Sequence, residues 1–210
     1  MTIAQDMIKA MGPAIEGCFD DARIRHATLF PGSAQALLAW AISERQGRPV
    51  VLVTDGPHAL EMMHQDLRTL SPIESGSDND GCPRLMFFPP RESTSPDARD
   101  HDLELIGSRL RTLARLAQST SKESPWVMAT TAEALLQATL DPGMLVDNTQ
   151  ILAVNDEREI SDFAATLESI GYAFVPEVQQ KGQATVKGGL VDVWPSTELW
   201  PSRLEFFGDT

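Results

Sequence analysis

Apolar residues follow two different spacings along the chain, and the pattern changes near residue 140. Before that point, short continuous apolar runs alternate with longer segments whose apolar residues recur every three or four positions. The runs predict strands that are buried on both faces, and the periodic segments predict helices. The predicted strands span residues 48–54, 84–88 and 125–130, and the predicted helices span residues 34–46, 57–70, 102–118 and 132–138. This alternation predicts an α/β lobe with a parallel sheet and flanking helices.

Individual residues mark several of these boundaries. Gly47 is placed to end the first of these helices, Pro57 to begin the second and Thr131 to cap the short one before residue 138. Residues 1–28 are predicted to be helical and then irregular, and residues 71–83 to form an exposed loop.

The 102–118 segment has the most regular helical pattern in the chain. Its apolar residues form one stripe, which predicts a single buried face, and its arginines lie on the other faces. The stripe consists of Leu103, Ile106, Leu110, Leu113 and Ala117, and the arginines are Arg109, Arg111 and Arg115.

After a strong turn at residues 141–143, the pattern predicts one helix followed by short strands. The helix is expected to be capped by Asn155 or Asp156 and to end before Gly171. Its inner face would carry Ile160, Phe163, Leu167 and Ile170, and the strands would span residues 172–178, 190–194 and 202–207. We therefore predict two domains, an α/β lobe at 1–140 and a small α+β domain at 141–210. The second is expected to be cut short, as in a fragment of a longer protein.

Composition narrows the functional classes. A net charge of −13 repels phosphate backbones. It therefore disfavours direct DNA binding as a function of this chain. Cys18 and Cys82 have no metal or redox spacing, and no signal peptide or membrane span is visible, so a cytoplasmic chain without a membrane partner is expected. The histidines have no metal-ligand spacing, which predicts no metal site. They are His26, His58, His64 and His101.

The loop before the first α/β helix is a degenerate phosphate-binding loop. It has the sequence L-F-P-G-S-A-Q-A, where an active loop has G-x-x-x-x-G-K-[ST]. Gly32 and Ser33 are present, but Ala34 replaces a glycine, Gln35 the lysine and Ala36 the hydroxyl that binds Mg²⁺. Without these groups, phosphoryl transfer should fail. We predict no catalytic residue and no cofactor here, and the loop would act as a strand-to-helix turn.

Four segments in order resemble the bacterial transcription-repair coupling factor family, Mfd, and its excision-repair relative UvrB. They are the degenerate loop and residues 87–116, 127–137 and 186–209, the last with V-K-G-G-L-V-D-V-W-P and S-R-L-E-F-F-G-D. UvrB-like proteins keep Gly-Lys-Thr in the loop and use ATP, so the loop favours the coupling factor. An ATP-dependent excision-repair helicase subunit of the UvrB type is the alternative.

The resemblance implies a RecA-like first lobe without motor activity and a second lobe that docks the damage-recognition protein UvrA. The UvrA contacts it implies are Lys187, Arg203 and Phe207, although the family usually has arginine at Lys187. In the longer parent, an ATP-driven and Mg²⁺-dependent DNA translocase, other domains would contact DNA and RNA polymerase. Recruitment of repair to RNA polymerase stalled at DNA damage is the function that follows.

Strand geometry is consistent with such a surface. Arg203, Glu205 and Phe207 alternate along one predicted strand and so share a face, while Leu204 and Phe206 would point to the core. Arginine and aromatic side chains are enriched in interface hot spots. The residues alone favour a different interpretation, in which Lys187 and Arg203 are ordinary solvated side chains and Phe207 is a core residue. The resemblance reverses this preference.

Overall fold

The computed structural model describes residues 9, 31–70, 84–91, 99–118 and 125–207. Of the segment predicted at 1–28, the described residues include residue 9 alone. The segment predicted at 71–83 and residues 29–30, which begin the degenerate loop, lie outside the described residues. The chain divides into two compact units. The first contains Met1–Arg91 and Gln118–Ala138, and the second contains Glu92–Ala117 and Thr139–Thr210.

The first unit is an α/β layer structure. Its elements are α1 (Gly32–Gln46), β1 (Val50–Thr54), α2 (Pro57–Leu70), β2 (Leu85–Phe88), β3 (Val127–Thr131) and α4 (Ala132–Leu136). Helix α3 (Arg99–Gln118) lies between β2 and β3 in sequence. The described strands form a parallel sheet in the order β1-β3-β2, with Val50 opposite Val127. Helices α1 and α2 pack on this sheet through Trp40 and Leu67, which are almost fully buried. The predicted parallel sheet with flanking helices is confirmed.

The three boundary residues behave as predicted. Gly47 ends α1 in the left-handed conformation, with a φ of 60°. Pro57 is the first residue of α2. The Thr131 hydroxyl accepts a hydrogen bond from the Ala134 amide at 3.0 Å and so caps α4.

Burial on both faces holds for the central strand β3 but not for β1. All five residues of β3 are buried. In β1, Val51 and Val53 are 46% and 49% exposed, because the helices that cover Val50 and Leu52 lie on the opposite face. The prediction of a doubly buried strand is therefore wrong for β1.

The second unit is built on a mixed sheet. Its elements are α3 (Arg99–Gln118, of which the last residue belongs to the first unit), α5 (Pro142–Asp147), α6 (Ile160–Ser169), β4 (Ala173–Phe174), β5 (Gln183–Lys187), β6 (Leu190–Val193) and β7 (Ser202–Glu205). The sheet order is β4-β5-β6-β7; β4 is parallel to β5, and the other neighbours are antiparallel. The described elements thus confirm the prediction of an α/β layer plus a small α+β sheet.

Helix α6 covers one face of this sheet. Phe163 and Leu167 pack with Val191 and Val193, and Ile160, Ile170, Leu204 and Phe206 lie around them. The predicted inner face of α6 is confirmed, and Gly171 follows the helix with a φ of 99°. The predicted cap is wrong. The helix begins only at Ile160, and the Asp156 carboxylate instead accepts a hydrogen bond from the Ala153 amide at 2.8 Å.

Local patterns also missed two elements. Helix α5 lies where only a turn was predicted, and it is capped by Asp141, whose side chain accepts a hydrogen bond from the Gly143 amide at 2.8 Å. Strand β5 was not predicted, because Ala184 is too small to mark an apolar alternation. Conversely, the strand predicted at 172–178 is only the two residues of β4.

The buried face of α3 differs from the predicted stripe. Arg109 and Thr112 are 4% and 3% exposed, whereas Ile106 in the stripe is 40% exposed. The expectation that all three arginines lie away from the buried face is therefore wrong for Arg109. The physical reason is that α3 makes its close contacts through glycine and polar groups.

These contacts join α3 to the loop that follows β6 and to Lys181, which precedes β5. A Cβ atom added to Gly107 would lie 2.0 Å from the Ser196 carbonyl oxygen, so the two backbones approach closely. The Arg111 Nε donates a hydrogen bond to the Thr197 carbonyl at 2.6 Å. Buried Lys181 forms an ion pair with Glu104 at 2.6 Å. Helix α3 up to Ala117 therefore belongs to the second unit, whereas the sequence pattern predicts one domain over residues 1–140.

Candidate docking surface

The antiparallel strands β5, β6 and β7 present a second face, opposite to the one that α6 covers. Their register brings two rows of side chains together on it. The rows are Thr185–Asp192–Arg203 and Lys187–Leu190–Glu205. We call Lys187, Asp192, Arg203, Glu205 and Phe207 the docking face.

Two glycines shape the end of this face. Gly188 and Gly189 form the two-residue turn between β5 and β6, and Gly188 has a φ of 61° that favours glycine. The Gly189 carbonyl accepts a hydrogen bond from the Phe206 amide at 2.8 Å. The V-K-G-G-L sequence therefore places Lys187 at the tip of the hairpin, in the row that ends with Glu205.

Arg203 is held by a carboxylate on the neighbouring strand. Its Nε donates to Asp192 Oδ1 at 2.6 Å, and its Nη2 donates to Asp192 Oδ2 at 2.9 Å. The Arg203 side chain is nevertheless 61% exposed, against 24% for Asp192. The guanidinium is thus fixed along one edge and open to solvent elsewhere.

The electrostatics of this pair follow from its hydrogen bonds. Donation from Arg203 lowers the pKa of the Asp192 carboxyl, the charges of Arg203 and Lys187 act in the same direction, and partial burial opposes them. The same hydrogen bonds raise the pKa of Arg203. Both groups are therefore charged at neutral pH.

Phe206 and Phe207 point to opposite sides. The Phe206 ring packs near Phe163, with centroids 6.2 Å apart, whereas Phe207 is 85% exposed. Leu204 also packs against the core. The predicted alternation is confirmed, and the alternative in which Phe207 lies in the core is wrong. A role of these residues in binding stays a prediction.

Asp192 is the residue of this face whose role the sequence pattern does not predict. The pattern L-V-D-V places an acid between two core valines, which indicates an outward side chain. Its partner could not be deduced, because the pairing of residue 192 with 203 depends on the register of β6 and β7.

The described part of the degenerate loop forms the first turn of α1. The Pro31 carbonyl accepts hydrogen bonds from the amides of Ala34 at 3.0 Å and Gln35 at 3.2 Å. Gly32 is exposed, whereas Ala36 is fully buried in the core of the first unit. A methyl group in an apolar core thus occupies the position at which an active loop would hold Mg²⁺.

Two negative findings apply to the residues that the structure describes. No group of three or more histidine, cysteine, aspartate or glutamate side chains there is placed to hold a metal ion. Within the same residues, no helix has both the length and the apolar character of a membrane span.

Comparison with known proteins identifies the class of domain that carries the docking face. Residues 151–210 match the UvrB interaction domain family. These residues contain α6 and all four strands of the mixed sheet. The match therefore falls within the second unit, on the elements that bear the docking face.

Longer relatives share most of the chain. It is 32% identical over 184 residues to the transcription-repair-coupling factor of Mycobacterium bovis. This alignment covers 85% of this chain and 14% of that relative. The match to the same factor of Bacillus subtilis is 27% over 177 residues, 84% of this chain and 14% of the relative. UvrABC system protein B of Thermotoga maritima is 24% identical over 212 residues, 97% of this chain and 31% of the relative.

The chain is therefore homologous to one part of the transcription-repair-coupling factors and, more distantly, to UvrB. It spans 14% of the length of the coupling factors that it matches.

Proposed function

We propose that this chain is a non-catalytic docking module of a transcription-repair-coupling factor and that its docking face binds UvrA. The observation that carries the proposal is the exposure of two neighbouring residues, with the Arg203 side chain 61% exposed and Phe207 85% exposed. Arg203 lies in β7 and Phe207 lies two residues beyond its end, next to a sheet whose other face is packed and within the match to the UvrB interaction domain. Arginine and aromatic side chains dominate the energetics of many protein interfaces.

In this role the chain recruits UvrA to RNA polymerase stalled at DNA damage in the cytoplasm. RNA polymerase and DNA are contacted by other domains of the longer protein, and not by this chain. The net charge of −13 supports that division, because it disfavours binding to a phosphate backbone.

Titration of UvrA with the 210-residue chain tests the proposal. Arg203→Ala should weaken binding about 30-fold, the loss expected for a hot-spot residue. Arg158→Ala is the matched control, because it removes the same side chain from the same unit, where Arg158 donates to Gln150 instead. Equal affinities of wild type and Arg203→Ala would exclude Arg203 from the interface.

The other two predicted contacts are tested in the same way. Phe207→Ala should weaken binding more than Trp200→Ala, which removes a 75% exposed ring from the loop before β7. Lys187→Ala should have the smallest effect of the three, because lysine cannot make the planar two-donor contact of arginine. A larger loss for Trp200→Ala than for Phe207→Ala would place the interface elsewhere.

The alternative, an ATP-dependent subunit of the UvrB type, predicts nucleotide binding. We propose that this chain neither binds Mg-ATP tightly nor hydrolyses it. Gln35 stands at the lysine position, and the Ala36 methyl group is buried in the core. Calorimetry with Mg-ATP should show no saturable heat at micromolar concentrations, and saturable binding would favour the alternative.

A further inference from the structure

We infer that Asp192 is a positioning residue that holds Arg203 by one edge and presents the other edge to a carboxylate of the docking partner. The inference rests on the proposed function and adds to it the chemistry of the partner's contact group. It starts from the two hydrogen bonds between the side chains, at 2.6 and 2.9 Å.

A guanidinium group has two edges that can each donate a pair of parallel hydrogen bonds. Asp192 occupies the edge formed by Nε and Nη2. The edge formed by Nη1 and Nη2 is directed away from the arginine stem. Because the Arg203 side chain is 61% exposed, this second edge is accessible to a partner.

The two-point contact also fixes the plane of the guanidinium. Arginine loses substantial rotamer entropy when a partner immobilises it. Most exposed ion pairs contribute little to stability, but a two-point arginine–carboxylate contact has the geometry in which an exposed pair contributes more. Asp192 therefore orders Arg203 before the partner arrives, which lowers the cost of docking.

The charges of the docking face favour recognition at short range. Lys187 and Arg203 are each balanced by an acid, Asp192 and Glu205, so the four charges cancel. A neutral face gives little long-range attraction, and specificity then depends on groups that match the open edge. A planar carboxylate with two acceptor oxygens is the protein group that fits a two-donor edge.

The test is a titration of UvrA with chain variants that change one carboxyl at a time. Asp192→Asn should weaken binding about fivefold, within the range expected when an arginine loses its preorganisation. Asp162→Asn is the matched control, since it removes the same carboxylate from an exposed position of α6, which covers the opposite face of the sheet. It should leave affinity unchanged.

Two further variants separate positioning from a merely structural role. Arg203→Lys keeps the charge but removes the planar pair of hydrogen-bond donors, and it should weaken binding about tenfold or more. In that background, Asp192→Asn should have no further effect, because Asp192 acts through the guanidinium. A loss from Asp192→Asn that persists with Lys at 203 would overturn the inference.

The remaining outcomes are also decisive. Failure of the wild-type chain to bind UvrA would refute the proposed function and this inference together. Loss of binding in Arg203→Ala with wild-type affinity in Asp192→Asn would refute the inference alone. Wild-type affinity in Arg203→Lys would show that charge, and not the open edge, is what the partner recognises.

Discussion

The contact between α3 and the loop after β6 leads to a specific prediction for Gly107→Ala. An alanine in a helix is ordinarily more stable than glycine by about 1 kcal/mol. At Gly107, however, the new Cβ would lie 2.0 Å from the Ser196 carbonyl oxygen and 3.1 Å from its carbon. These atoms belong to the backbone, so a side-chain rotation cannot relieve the overlap.

The magnitude follows from the displacement required. Ordinary carbon–oxygen contacts lie at about 3.4 Å, so the helix and loop must separate by more than 1 Å in this region. That separation would also lengthen the 2.6 Å hydrogen bond from Arg111 to Thr197. Overpacking of this kind costs about 1–3 kcal/mol. Since the helix-propensity gain of about 1 kcal/mol offsets part of the cost, a net destabilisation of up to about 2 kcal/mol is expected.

Urea unfolding followed by far-UV circular dichroism measures this change. Gly32→Ala is the control, because it also lies in a helix and its Cβ would meet no atom within 4 Å. Gly32→Ala should leave the midpoint unchanged or raise it, whereas Gly107→Ala should lower it. A higher midpoint for Gly107→Ala would show that the close contact between α3 and Ser196 does not exist in solution.

Three further predictions concern single side chains. Thr131→Ala should destabilise the first unit by about 1 kcal/mol in the same unfolding assay, because it removes the cap of α4. Val191→Ala should cost about 2 kcal/mol, because the valine is fully buried beneath α6; an effect near zero would contradict this core. The pKa of the Asp192 carboxyl is lowered in the folded chain by its hydrogen bond with Arg203, so the ionised carboxyl stabilises the fold at neutral pH. This contribution is lost as the pH falls below about 4 and through the pKa of the folded state. Asp192→Asn should therefore reduce the acid dependence of the unfolding midpoint below about pH 4, and an unchanged dependence would contradict the pairing.

The sequence predicted elements whose signals are local. Gly47 and Pro57 mark helix ends through their own backbone restrictions, and α6 shows a complete apolar face within its own length. The parallel arrangement of the first sheet also followed from the order of strands and helices. In each case the determining residues are neighbours in the chain.

Features that depend on distant pairing could not be predicted. The environment of α3 depends on contacts with residues such as Thr197, which lies 86 positions beyond Arg111. Its apolar stripe therefore indicated a helix correctly but not the face that is buried. At the candidate site, alternation predicted which way Arg203 and Phe207 point, but the partner of Arg203 depends on strand register.

The alternation of β7 and the residues after it separates the proposed contact residues from core residues within a few positions. Leu204 and Phe206 pack against the core, whereas Arg203 and Phe207 face solvent. Outward positions can therefore change without altering the core, and inward positions can destabilise the sheet without altering the chemistry of the docking face. Asp192 is the exception, because its carboxylate is only 24% exposed and determines the orientation of an outward side chain. A substitution at Asp192 should therefore alter recognition through Arg203 even when the partner does not contact Asp192 itself.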